Sequence, residues 1–205
     1  MGTLRERSKQ YVRRQIAETA LGLFLAQGFD KVTVAQVAAA AGVAEKTVYN
    51  YFPTKAHLVF DADPAVLDGL VAAVTDRPQG QSALAAVRRF LSSVADRMGD
   101  VHSAEARAAF RRMVADSPAL QAHQRQMAAG YERALTAVLA EQTGMPAGAP
   151  EPFTAAVALV GALRAGFDAA QASGGVGQAI NRALDLLEAG LADYAVAANP
   201  PRARP

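Results

Sequence analysis

The stretch Thr33 to Lys55, TVAQVAAAAGVAEKTVYNYFPTK, constrains the fold more than any other part of the chain. Thr33 and Gln36 stand three apart just ahead of an apolar-periodic run, the spacing of a capping box. The Thr hydroxyl accepts from an orphan helix N–H, and the Gln side chain reciprocates at the backbone of Thr33. Val34, Val37, Ala38 and Ala41 recur at helical spacing and make one side of a short first helix apolar. Gly42 then falls where a left-handed residue closes a helix, and Val43 behind it is placed to fold back onto the core. A second short helix is expected from about Ala44 through Asn50, and Pro53 closes the segment. Two short helices joined by a Gly-containing turn form a helix-turn-helix, whose second helix enters the DNA major groove. An ordinary helical hairpin is the bland alternative. The cap, Gly42-Val43, Thr47-Val48-Tyr49, Tyr51-Phe52 and Thr54-Lys55, together at these spacings, outweigh it.

These residues resemble the TetR-type (TetR/AcrR) transcriptional regulators, whose N-terminal pattern runs T-V-x-x-I-A-x-x-A-G-V-S-x-x-T-x-Y-x-Y-F-x-x-K. The specific match covers about Val12 to Leu58, a little over a fifth of the chain, and beyond it only length and helical character agree. The resemblance implies an all-α protein with a DNA-binding domain over residues 1–60, its helix-turn-helix at about 33–52. A helical effector-binding and dimerisation domain would follow over 61–200. The implied partners are a palindromic operator in double-stranded DNA, a small-molecule effector and a second copy of the chain. One departure from the pattern bears on function: Ala44 stands where Ser is usual, which removes a helix cap and a hydroxyl for phosphate.

The rest of the chain bounds the alternatives. Of 205 residues, 51% are apolar and 20% charged, the balance of a globular protein with a proper core. There is no cysteine, which removes disulfides, thiolate zinc sites and cysteine nucleophiles together. The opening MGTLRERSKQYVRRQ is charged where a signal peptide needs an apolar run. The longest apolar run, Phe153 to Leu163, falls short of the ~20 residues of a membrane span. A cytoplasmic protein is expected. Net charge is only +2, but residues 1–60 hold eight Lys/Arg against four Asp/Glu, while the remainder holds 13 against 15. A basic N-terminal module on a mildly acidic body fits a segregated phosphate-binding surface.

Apolar periodicity predicts helices throughout. Val12, Ile16, Ala20 and Leu23 mark a first helix from about Ser8 to Gln27, ended by Gly28 with Phe29 behind it. A fourth helix is expected to start near Thr54 and restart at Asp63-Pro64, running to about Asp76. Leu84, Val87, Leu91, Val94 and Met98 define another, residues 103–115 a shorter one, and Leu120, Met127, Tyr131, Leu135 and Val138 a long one. Gly144 to Pro152 reads as a loop. Two last helices, about 153–172 and 177–198, flank Ser173-Gly174-Gly175.

For DNA, Lys46, Thr47, Tyr49 and Asn50 project from the second short helix, with Val48 and Phe52 turned inward. Lys46 can bond guanine acceptors and Thr47 offers a hydroxyl and a methyl. Tyr49, Asn50 and Tyr51 suit phosphate, as do Thr33 and Lys55 at helix starts. Tyr51 serves equally as a core aromatic. Arg5, Arg7, Lys9, Arg13 and Arg14 could track the DNA backbone, or form a ragged charged terminus. For an effector, Arg88, Phe110, His123, Gln126, Tyr131 and Arg164 are polar or aromatic positions set among apolar ones, the make-up of a ligand pocket. For the dimer, Ala156, Val160, Leu163 and Phe167, then Ile180, Leu184, Leu187, Leu191 and Tyr194, repeat at four-three spacing. This is a seam for a four-helix bundle between two chains, or for packing within one. Nothing groups the three histidines with a nucleophile or a metal ligand set. No catalytic residue, metal or cofactor is expected, and a small helical enzyme is the reading from another class. Within DNA binding, a regulator without an effector, or an activator, competes with a ligand-released repressor.

Overall fold

The computed structural model describes residues 4–61, 63–101, 104–146, 148–169 and 175–190. Among these it is all-helical, with no strand: α1 (Leu4–Gln27), α2 (Val34–Ala40), α3 (Glu45–Tyr51), a 3-10 turn (Lys55–Leu58), α4 (Asp63–Thr75), α5 (Ala83–Val101), α6 (Ala104–Asp116), α7 (Pro118–Thr143), α8 (Pro150–Asp168) and α9 (Val176–Ala189). The chain divides into two compact units, Met1–Leu67 with Ser103–Ala129, and Asp68–His102 with Gly130–Pro205.

In the first unit the core is written by the helical period of α1 to α3. Ile16, Ala20 and Phe24 of α1 are buried with Val34, Val37 and Ala38 of α2, Val48 and Phe52 around α3, and Leu58 of the 3-10 turn. Gly28 ends α1 with its N–H on the Phe24 carbonyl at 2.9 Å, and Phe29 behind it packs edge-on against Phe24. Residues of α6 and early α7, Met113, Val114 and Leu120, belong to the same core. Sequence alone assigns them to the body beyond residue 60. Packing groups them with the N-terminal helices because their apolar face closes this cluster. Ser117, buried between α6 and α7, donates to Asp30 Oδ1 at 3.3 Å.

In the second unit, α5, α8 and α9 supply the buried residues Val87, Leu91, Val94, Ala156, Val160, Leu163, Ile180 and Leu184, and α7 adds Tyr131, Leu135 and Leu139. Gly166 lets α8 and α9 approach closely: a Cβ there would collide with the Ile180 side chain and lie 2.9 Å from its backbone. Some boundaries shift from expectation. The stretch expected as a helix from Thr54 is a single 3-10 turn before α4, and α9 ends at Ala189, where Gly190 takes φ +79°. The expected helical residues from Leu191 onward lie outside the described part of the chain.

Candidate nucleic-acid interface

The capping box at α2 is formed as the spacing requires. Gln36 N–H donates to Thr33 Oγ1 at 3.2 Å, and Thr33 N–H donates to Gln36 Oε1 at 2.7 Å. Gly42 takes φ +69°, a region closed to most side chains, and the Val43 N–H returns to the Ala38 carbonyl at 3.0 Å. The turn is therefore fixed by backbone chemistry, and α3 leaves it at a defined angle. Val48 and Phe52 anchor α3 in the core, each 1% exposed. The opposite face carries Lys46, Tyr49 and Asn50 in solvent and Thr47 half-buried, with no side-chain hydrogen bond or ion pair to any of them among the described residues. Tyr51 is half-buried, its ring tilted against Phe52 at 6.5 Å, so the core-aromatic alternative describes its packing. At the N-terminus of α3, Ala44 is extended and makes no side-chain cap.

Two cations flank this helix differently from their sequence reading. Arg13 donates from Nε to Asp61 Oδ1 at 2.6 Å, and its guanidinium lies 5.0 Å from the Phe52 ring centre. Lys55 Nζ lies 4.2 Å over the Phe29 ring and 5.7 Å from that of Phe24. Burial there pushes the Lys55 ammonium below the ordinary lysine value, and the nearby Asp30 carboxylate offsets part of the shift. Thr33 is exposed but occupied in the cap. Arg7 and Arg14 are exposed on α1.

Sequence comparison matches residues 16–62 to the model of bacterial regulatory proteins of the tetR family, and residues 81–192, over half the chain, to that of the MftR C-terminal domain. The chain belongs to the TetR family. It is a transcriptional regulator, and its relatives are regulators rather than enzymes. It is 30% identical over 146 residues to the HTH-type transcriptional regulator TcmR of Streptomyces glaucescens, covering 69% of this chain and 65% of TcmR, a little under two thirds of that protein. To MftR of Mycobacterium tuberculosis it is 27% identical over 190 residues, 90% of this chain and 93% of MftR. In fold it resembles the SmeT–triclosan complex, with a TM-score of 0.61, 18% identity, and coverage of 87% of this chain and 90% of that one. TetR-family regulators bind DNA and act as dimers.

The expected effector residues fall in both units, Phe110, His123 and Gln126 in the first and Arg88, Tyr131 and Arg164 in the second. Arg88 donates to Asp185 Oδ1 at 2.6 Å and Glu188 Oε2 at 2.9 Å, tying α5 to α9. Gln126 and Arg164 face solvent. Phe110 and His123 come together around Phe60, with His123 stacked on its ring at 5.3 Å and Phe110 edge-on at 6.1 Å. Tyr131 is buried in the other unit. A groove of about 500 Å³ opens beside α7 and the start of α8, lined by Arg133, Thr136, Ala137, Ala140, Glu141, Met145 and Phe153, none of them among the expected residues.

Two residues expected in the dimer seam are interior to the chain. Val160 and Leu184 are 2% and 0% exposed, already buried by α8, α9 and α5 of their own chain, so a partner has no access to them. Leu187 is half-buried, the Phe167 side chain lies outside the described ones, and so does Leu191. Sequence reasoning missed Phe153 and Val157 on another line of α8, 54% and 37% exposed and followed along the helix by exposed Gly161 and Ala165. Its signal is a four-residue repeat one step out of phase with the four-three seam.

Proposed function

We propose that this protein is a homodimeric repressor that a small, largely apolar molecule releases from a palindromic operator. The observation that carries the DNA half is the outward face of α3. Lys46, Thr47, Tyr49 and Asn50 are presented on a helix whose opposite side is locked by Val48 and Phe52. A recognition helix needs this arrangement: polar side chains in its first turns for base edges, and an apolar root that fixes its angle. Thr33, Tyr51 and Lys55 would add backbone contacts, Lys55 only by leaving the ring of Phe29. Two copies would set their recognition helices about 34 Å apart, one turn of DNA.

For assembly, the exposed apolar line Phe153, Val157, Gly161 and Ala165 on α8, with Leu187 on α9, supports an isologous contact. For the effector, SmeT is described in complex with triclosan, and Phe110 and His123, half-buried together around Phe60, are candidates here. The ligand acts by preferring the dimer whose helices are wrongly spaced, and reciprocity requires DNA to weaken the ligand equally. The test is a gel shift with the DNA upstream of the protein's own coding sequence. Lys46→Ala should cost about 1–3 kcal/mol of operator binding and relax preference at one base pair, and Tyr49→Phe should weaken binding without changing preference. Both variants binding as wild type at fixed salt would refute the assignment of α3.

A further inference from the structure

We propose that Arg13 is a positioning residue for the recognition helix, acting through Phe52 and Asp61 rather than by touching DNA; this rests on the reading of α3 above. A cation near the start of the chain in a DNA-binding module is ordinarily assigned to phosphate. Here its Nε–H and the face of its guanidinium are directed inward. The flat guanidinium lies over the ring of Phe52, whose N–H caps α3 by donating to the Val48 carbonyl at 2.8 Å. Its edge donates to Asp61, nine residues further on and beyond the 3-10 turn. One side chain of α1 thus grips the chain on both sides of that turn, across 48 residues of sequence. A planar group with donors along its edge can stack and bond at once, which an ammonium cannot. Asp61 also cancels the cation's charge at short range, leaving little attraction for phosphate. The side chains are 37% and 29% exposed, too open for the pair to carry much of the global stability. Its consequence falls on the direction of α3, whose C-terminal end it holds.

Anisotropy titrations with operator and with unrelated duplex, over a salt series, separate the two roles. Arg13→Gln, Arg13→Lys and Asp61→Asn are each expected to weaken operator binding roughly threefold to tenfold, the double variant no more than either single one. Affinity for unrelated duplex and the salt slope should stay at wild-type values, and the unfolding midpoint should move little. A phosphate contact gives different results. Arg13→Lys would then match wild type, and Arg13→Gln would lower the salt slope by about 0.9 per protomer. Asp61→Asn would bind operator more tightly, having lost a carboxylate and freed a cation. Any of these overturns the proposal, as does an Asp61→Asn variant indistinguishable from wild type. Asp61→Asn is isosteric at a half-exposed position, so its sign remains readable even if an Arg13 variant folds poorly. Lys46→Gln serves as the control: if it too leaves operator binding untouched, the reading of α3 fails rather than the clamp.

Discussion

Serine in place of Ala44 should make this protein both more stable and a tighter DNA binder. Ala44 holds the N-cap position of α3 at φ −73°, ψ 147°, the extended conformation a cap residue needs. Its carbonyl already accepts from the Thr47 N–H at 2.8 Å, but its methyl group leaves the first-turn donors to solvent. A Ser hydroxyl at this position can accept from the Lys46 N–H, which has no intrahelical partner, and because residue 44 is exposed the change buries nothing. The gain is about 1 kcal/mol, which for a chain of this size raises the melting temperature by roughly 2–4 °C. Ala44→Gly should recover much of it, since Gly ranks well above Ala at a cap, and Ala44→Val should recover none. Ala44→Asp caps as well as Ser but adds a carboxylate next to Glu45, on the side of α3 assigned to DNA. It should match Ser in a thermal melt and fall below it in a gel shift at fixed low salt. A Ser variant no more stable than wild type would refute the capping argument. An Asp variant binding operator as tightly as the Ser variant would refute the placement of this helix end against phosphate.

Two further outcomes follow from the body and from Lys55. Phe153→Asp combined with Val157→Asp should give folded monomers in sedimentation with poor operator affinity, whereas Leu184→Asp should fail to fold, because it puts a charge at a 0% exposed position at a cost of several kcal/mol; monomers from neither, or a well-folded Leu184→Asp dimer, would contradict the assignment of the two faces. Since burial lowers the Lys55 value, the folded protein releases this proton before the unfolded chain does, so stability rises as pH climbs towards the ordinary 10.5. The stability of wild type relative to Lys55→Met should therefore improve as pH rises towards that value in urea titrations, and a difference independent of pH would show that the ammonium is not desolvated.

The helix-turn-helix was legible because its determinants are local. A Thr three residues before a Gln, a Gly at the closing position and apolar residues at helical spacing act within a single turn of backbone, and the cap and the φ of Gly42 follow from neighbours within a few positions. The order of the helices and their apolar faces were determined in the same way, by the period of the pattern. What the pattern leaves open is the partner of each face and of each charge. On α8 two apolar lines lie side by side; only tertiary packing spends Val160 and Leu163 on the chain's own α9 and α5 and leaves Phe153 and Val157 in solvent. Arg13 reads as a cation for the DNA backbone and Arg88 as a group for an effector, yet each is paired with a carboxylate, 48 and 97 positions away respectively. Periodicity records that a side chain must leave water or keep its charge, which is a property of one helix. Which group it meets depends on how several helices pack together, and that is decided only when they close on a common core.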